Sequence, residues 1–218
     1  MPIEESREGR HLPAFSVAKH LTHTRRVRDG VTDVVHGPID RFTQQYHFLS
    51  NFYRVSITST KYGFTFPSVE HAFQWGKAFY AHDHDRAEQL EDDRGMTPSQ
   101  AKQVGARVIG LPQTWAQYRV KLMLHLLSLK FQHAGLAGLL RKTTGHRLVE
   151  GNDWHENFWG ICSCRQCPGY GQNILGRQLE KIREALLTPE TSYYLTPGSS
   201  VDQATLKATQ VLRQVLAH

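Results

Sequence analysis

One carboxylate and one amine lie at helical spacing in a short segment that begins at Pro67. Glu70 and Lys77 are seven positions apart, and Gln74 lies between them. Two helical turns take about seven residues, so a helix here would project all three side chains from one face. A carboxylate can transfer protons, and a neutral amine can attack carbon. We interpret this face as a candidate site for breaking a bond between a sugar and a nitrogen.

Each of the two charged residues also has a simpler structural explanation. Glu70 falls in the first turn of the predicted helix, where the helix dipole favours a carboxylate. Lys77 could be an ordinary lysine on a solvated surface. Only their combination on one face favours chemistry over these alternatives.

A second segment supplies aromatic side chains and glycines. Residues 154–160 are rich in aromatic residues and end in Gly160, and Asn173 lies between two glycines. Glycine permits turns and close approach of a ligand to the backbone, and an indole such as that of Trp159 can stack on a base. The alternative is an irregular connection into a helix, with the tryptophans packed in the core.

The cysteines form a third feature, since Cys162, Cys164 and Cys167 lie within six positions. Three cysteines cannot form a closed disulfide framework, so we expect reduced thiols in a loop and no bound metal. The alternative is a zinc site, for which His155 or His146 could supply the fourth ligand.

Positive charge is concentrated in the middle of a chain whose formal net charge is +6. Residues 94–149 contain no Asp or Glu, and their cations are Arg94, Lys102, Arg107, Arg119, Lys121, Lys130, Arg141, Lys142 and Arg147. Such a stretch suits a phosphorylated substrate or a nucleic acid. A solvated helical surface that happens to be basic is the alternative.

The sequence predicts no association with a membrane. No apolar run approaches the roughly 18 to 20 residues that a spanning helix needs, and the first ten residues lack the apolar stretch of a signal peptide. Together with reduced thiols, this predicts a cytoplasmic location.

The chain divides into a core and two tails. Residues 1–37 form a poorly defined N-terminal arm, 38–187 the catalytic domain, and 188–218 a linker followed by a short amphipathic helix. Within the core, alternating β-branched and aromatic residues predict a hairpin over 55–66. Helices are predicted from the Ser68 and Thr97 caps and over 115–132 and 173–187. We therefore predict an α+β fold, a mainly helical single domain with a small β-hairpin.

Short segments over about residues 39–187 resemble the NADAR (YbiA-like) family in order and approximate spacing. They are Phe48-Leu49-Ser50-Asn51-Phe52, Phe66 to Gln74, Lys77-Ala78, Thr97-Pro98, Ala101-Lys102, Gly105, Trp115, Lys130-Phe131, Leu148-Val149-Glu150, Phe158-Trp159-Gly160 and Gly171-x-Asn173-x-Leu175-Gly176. The resemblance implies an α+β fold and N-glycosidase activity, with no metal or redox cofactor required.

The resemblance also implies functional positions. Glu70, Lys77, Trp115 and an acidic residue three before Trp159 match the family's functional residues; that acid is Glu156 here, where the family usually has Asp. Glu70, Lys77 and Glu156 are therefore the catalytic candidates. The candidates for substrate binding are Ser50, Asn51, Phe52, Gln74, Trp115, Trp159, Gly160, Asn173 and Gly176.

Three functions remain open at this point. The resemblance implies either hydrolysis of phosphorylated ribosylamino-pyrimidine intermediates of the riboflavin pathway or removal of ADP-ribose from guanine bases in DNA or RNA. The third is a module that binds NAD or ADP-ribose without turnover. The partner would be a small phosphorylated ribosyl-amine, with ADP-ribosylated nucleic acid as the alternative.

Overall fold

The computed structural model describes residues 36–60 and 63–187. The predictions for the arm up to residue 35, for the linker and for the terminal helix lie outside the described residues.

A β-hairpin leads directly into the helix that carries the candidate site. Strand β1 (Arg54–Ser59) pairs antiparallel with β2 (Phe64–Ser68), as the sequence predicts. Helix α1 (Val69–Tyr80) begins at once, and the Ser68 hydroxyl accepts a hydrogen bond from His71 N at 3.1 Å. This cap satisfies one free N–H of the first turn, so the chain becomes helical one residue before Glu70.

Two short helices cover one side of α1. They are α2 (His84–Asp92) and α3 (Pro98–Ala106), and α3 begins with the predicted Thr97–Gln100 capping box. Helix α2 is joined to α1 by a hydrogen bond that His71 Nε2 donates to Leu90 O at 2.7 Å. A small second apolar cluster fills the space between these helices: Ala78, Ala87, Leu90, Met96, Ala101, Val104 and Val108.

The main core lies around α4 (Trp115–Lys130), which contacts α1, β1 and α6 (Ile174–Leu187). Helix α5 (Ala134–Arg141) packs on α6. Helix α4 ends two residues earlier than predicted. Leu126 of its predicted apolar stripe is fully buried, whereas Tyr118 is 39% exposed and stacks on Tyr80.

A loop region between α5 and α6 completes the domain. Strands β3 (Gly151–Asn152) and β4 (Ile161–Cys162) form a two-residue parallel pair. Upstream of them, Ile39 forms a parallel bridge to Leu148, which ties the start of the domain to this loop region. The fold is α+β with helices in the majority, as predicted.

Candidate functional site

The predicted face of α1 is present in the structure. Gln74 Nε2 donates to Glu70 Oε1 at 2.7 Å, and both side chains are buried. One turn later, Lys77 Nζ donates to the carbonyl oxygen of Gly105 in α3 at 2.7 Å. A Cβ atom at Gly105 would lie 1.8 Å from Gln74 Oε1. Glycine therefore lets α3 come close enough for its backbone to hold the lysine.

Burial shifts the pKa of both ionisable groups toward the uncharged form. It raises the pKa of Glu70, and the hydrogen bond from Gln74 and the positive charge of Lys102 oppose that rise. It lowers the pKa of Lys77, and the negative charge of Glu70 opposes that fall. A protonated carboxyl and a neutral amine are the forms needed by a general acid and by a nucleophile.

Glu156 approaches the same region from the loop between β3 and β4. Its negative charge contributes to the raised pKa of Glu70. Its Oε1 accepts hydrogen bonds from the backbone N–H groups of residues 158 and 159 at 2.9 and 3.0 Å. Asn152 holds the loop, since its Nδ2 donates to Glu156 O at 2.7 Å and its Oδ1 accepts from Glu156 N at 3.1 Å. Lys77 and Glu156 both act electrostatically on Glu70, so the structure brings the three catalytic candidates near one another.

Three more charged residues belong to this cluster, and sequence reasoning did not select them. Burial raises the pKa of both Glu70 and Glu150, and the positive charge of Lys102 opposes both rises. The charges of Lys130 and Glu150 also act on each other. A signal was present in the sequence. Lys102 and Lys130 lie in the stretch without acids, and Glu150 is the first acid after it.

The buried Lys130 and the half-buried Glu150 interact electrostatically. Lys130 is fully buried, and its Nζ donates to Ser50 O at 2.7 Å and lies 5.5 Å from the Tyr53 ring centroid. Burial lowers the pKa of Lys130 to about 7 and raises the pKa of Glu150 to about 7. Glu150 Oε2 is buried and has no hydrogen-bond partner among the described residues. Near neutral pH this pair can therefore hold or release a proton.

The predicted binding segment 50–52 borders the first turn of α1. Asn51 O accepts a hydrogen bond from Glu70 N at 3.1 Å, and the Ser50 hydroxyl accepts one from Phe52 N at 3.2 Å. The ammonium of Lys102 lies 5.8 Å from the Phe52 ring centroid. Asn51 Oδ1 is buried without a hydrogen-bond partner in the described part of the chain. The segment therefore offers a polar atom and a ring beside the charged cluster.

The two candidate tryptophans both contact Phe73 of α1. The ring centroids of Trp115 and Phe73 are 5.7 Å apart, and the Trp159 ring meets Phe73 edge-on at 5.6 Å. Trp115 is only 9% exposed, whereas Trp159 is half-buried. Next to Trp159, the guanidinium of Arg119 lies 3.6 Å from the Phe158 ring centroid. Trp159 is therefore the better placed of the two for stacking on a ligand.

Asn173, Gly160 and Gly176 support the segment that carries Glu150. Asn173 Oδ1 accepts from Glu150 N at 3.0 Å, and its Nδ2 donates to Leu148 O at 2.8 Å. A Cβ at Gly160 would lie 2.1 Å from Glu150 O, and one at Gly176 would lie 2.1 Å from Leu148 O. These contacts position backbone, and a contact of any of the three with substrate stays a prediction.

The cysteines gather around one of the two histidines considered. The ligand atoms of His155, Cys162, Cys164 and Cys167 all lie within 4.8 Å of one another. His146 lies elsewhere in the fold, where its Nδ1 forms a hydrogen bond with the carbonyl of residue 37 at 2.7 Å.

Within residues 36–60 and 63–187, no helix is both long and apolar enough to cross a membrane.

Comparison with known proteins shows the family of the chain. The NADAR domain matches residues 39–187. The chain is also similar to the NMR structure of the E. coli protein YbiA, with 28% identity, a TM-score of 0.57, and coverage of 75% of this chain and 90% of that chain. No curated protein sequence matches it. Proteins with this domain are associated with N-glycosidase-type hydrolysis. Because the match spans most of the chain, the protein belongs to the NADAR domain family.

Proposed function

We propose that the protein is an N-glycosidase that hydrolyses the bond between ribose and an amine nitrogen. Its proposed substrates are phosphorylated ribosylamino-pyrimidine intermediates of the riboflavin pathway. The observation that carries the proposal is the face of α1, where the buried Glu70 has a raised pKa and Lys77 has a lowered one. An acid with a raised pKa near an amine with a lowered pKa is typical of sites of acid–base and nucleophilic catalysis.

The favoured mechanism passes through the lysine amine. The bond from C1′ to the ring oxygen breaks, the ring oxygen takes a proton from Glu70, and the nitrogen lone pair forms a C=N bond. The neutral Lys77 amine adds to C1′, and a proton moves from it to the original nitrogen. The C1′–N bond then breaks, which releases the pyrimidine amine and leaves a Schiff base on Lys77. Water hydrolyses the Schiff base to the ribose phosphate aldehyde and the free amine.

A second mechanism uses two carboxylates instead. Glu70 protonates the leaving nitrogen, and Glu156 stabilises an oxocarbenium-like state or activates water. The electrostatic coupling of Glu156 to Glu70 supports this alternative. The lysine route is preferred because burial favours the neutral amine of Lys77.

The surrounding residues suit a small aromatic and phosphorylated substrate. Lys102 is exposed, and its charge already acts on Glu70 and Glu150, so it is the proposed phosphate contact. Trp159 is the proposed stacking partner of the pyrimidine ring.

Removal of ADP-ribose from guanine in nucleic acid is the second candidate. Six cations of the stretch without acids are exposed, which favours a polyanionic partner: Arg94, Lys102, Arg107, Lys121, Lys142 and Arg147.

Side-by-side turnover of the two substrates tests the proposal. We expect the purified chain to release pyrimidine amine from a ribosylamino-pyrimidine phosphate at least tenfold faster than ADP-ribose from a modified guanine oligonucleotide. The opposite ratio would assign the second function. Binding of ADP-ribose with no product from either substrate would indicate the non-enzymatic binding module.

A further inference from the structure

The four side chains around His155 form a compact group on the loop that also carries Glu156. His155 Nδ1 lies 3.2 Å from Cys167 Sγ and 3.4 Å from Cys164 Sγ. The two sulfurs are 3.2 Å apart. Cys162 Sγ completes the set within 4.8 Å of every other ligand atom. Three sulfurs and one imidazole nitrogen thus surround a single point.

We propose that these four residues bind one zinc ion as a tetrahedral structural site. Zinc bonds of about 2.3 Å to sulfur and 2.0 to 2.1 Å to nitrogen place tetrahedral ligands about 3.5 to 3.8 Å apart. The distances between ligand atoms in the cluster, from 3.2 Å up to at most 4.8 Å, lie on both sides of these values. Small side-chain shifts would therefore bring the four atoms to tetrahedral positions. Three cysteines with one histidine form a ligand set typical of structural zinc.

The local backbone supports metal binding at each ligand. Cys162 Sγ accepts backbone N–H groups from His155 at 3.3 Å and Cys164 at 3.5 Å, and such bonds stabilise a thiolate ligand. Cys162 is fixed by β4, and Cys167 returns through a turn in which its N–H donates to Cys164 O at 3.2 Å. His155 has φ +66°, a left-handed conformation uncommon among non-glycine residues, and its Nδ1 lies beside two of the sulfurs.

The metal would fix the position of the neighbouring functional loop. His155 immediately precedes Glu156 in the chain. The Asn152 side chain in β3 forms hydrogen bonds with both the carbonyl oxygen and the N–H of Glu156. Asn152 also pairs with Cys162 in β4. With four protein ligands, zinc has no open position for water or substrate. Its role is therefore to hold the loop, and the site is independent of the proposed reaction.

Metal content of the purified full chain tests the site directly. We expect about one zinc per chain by mass spectrometry of metals in protein expressed with zinc chloride. Cobalt chloride added to metal-free protein should give the visible bands of tetrahedral cobalt and a sulfur-to-cobalt charge-transfer band. A chain without zinc that also gives no such bands would overturn the proposal, as would a Cys164–Cys167 disulfide in freshly purified protein.

Substitutions identify the ligands. Cys164→Ser and His155→Asn should each lower zinc content at least tenfold. His146→Asn is the matched control and should retain the metal, because His146 faces another part of the fold. Retention of zinc in His155→Asn with loss in His146→Asn would contradict the assignment. The cobalt spectrum of the wild-type chain keeps the test decisive if a ligand variant fails to fold.

Discussion

At the scale of single residues, burial sets the protonation of the candidate catalytic pair. Glu70 and Lys77 carry opposite charges in water, yet both lie where charge is disfavoured, and each is only partly compensated by the other. The hydrogen bonds from Gln74 to Glu70 and from Lys77 to Gly105 fix the two groups without neutralising them. Burial thus shifts both groups toward the uncharged forms that the proposed reaction needs.

Replacement of Glu70 by Gln should reduce kcat/KM at least tenfold. A positioned general acid contributes about 10² to 10⁴ in rate, and the amide keeps the size of the side chain but has no proton to give. Glu88→Gln is the matched control, since Glu88 is exposed on α2. A folded Glu70→Gln enzyme with the wild-type rate would remove Glu70 from the mechanism.

The pH profile of kcat/KM should be bell-shaped. The neutral Lys77 amine forms as pH rises through its lowered pKa, which gives the acid limb. The protonated Glu70 carboxyl is lost as pH rises through its raised pKa, which gives the alkaline limb. Residual activity of Glu70→Gln should lack the alkaline limb, and an unchanged bell in that variant would assign the limb to another group.

Lys77→Arg should lose at least 90% of the wild-type rate. A guanidinium keeps the positive charge but stays protonated and cannot form an imine. Lys121→Arg, on the exposed side of α4, should keep its activity. Retention of more than about a tenth of the rate, a loss below about 1.4 kcal/mol, would leave Lys77 an electrostatic role only.

At the scale of elements, local signals predicted the parts that position α1. Alternating β-branched and aromatic residues predicted the hairpin, and the Ser68 and Thr97 caps predicted the starts of α1 and α3. These signals could be recognised because they depend on neighbouring residues alone. Helices α2 and α5 were not predicted. Helix α2 has only two buried residues, and α5 contains two glycines, so packing on other elements defines them. The two-residue β3–β4 pair depends entirely on distant contacts.

Local spacing likewise predicted one part of the candidate site and missed another. Spacing along α1 identified Glu70, Gln74 and Lys77, because helical geometry fixes which residues share a face. It could not identify Lys130 and Glu150, which come from different elements and meet only in the folded chain.

Gly160→Ala should destabilise the protein by about 2 kcal/mol or more. Its Cβ would lie 2.1 Å from the backbone oxygen of Glu150, and backbone cannot move aside as a flexible side chain can. Gly138→Ala in α5 is the control, because within the described residues no atom outside its own helix backbone lies within 4 Å of the added Cβ. Alanine there should leave stability unchanged or raise it by up to about 1 kcal/mol. Urea unfolding of both variants measures the difference, and equal effects would contradict the steric assignment.

At the scale of the whole molecule, the interacting Lys130 and Glu150 link stability to pH. Between about pH 4.5 and 7 the folded chain keeps Glu150 protonated while the unfolded chain does not, so stability falls as pH rises. Between about pH 7 and 10.5 the unfolded chain holds a proton on Lys130 that the folded chain lacks, so stability rises with pH. The contribution of this pair is therefore smallest near pH 7.

Unfolding free energies at pH 5.5, 7 and 8.5 should show this minimum. The change can reach about 1.4 kcal/mol per pH unit for each group. The double variant Lys130→Met/Glu150→Gln removes both titrating groups, so the difference between wild type and double variant isolates their contribution. A difference that does not vary with pH would show that the pair is already ionised in the folded chain.

Borohydride trapping during turnover tests the lysine mechanism most directly. Reduction of the Schiff base should leave the sugar phosphate covalently attached, and peptide mass spectrometry should locate the adduct on Lys77. The adduct should require substrate and be absent from Lys77→Arg, while Lys121→Arg should be labelled as strongly as wild type. Rapid release of the pyrimidine amine with no adduct on Lys77 would contradict the lysine mechanism and favour the two-carboxylate route through Glu70 and Glu156.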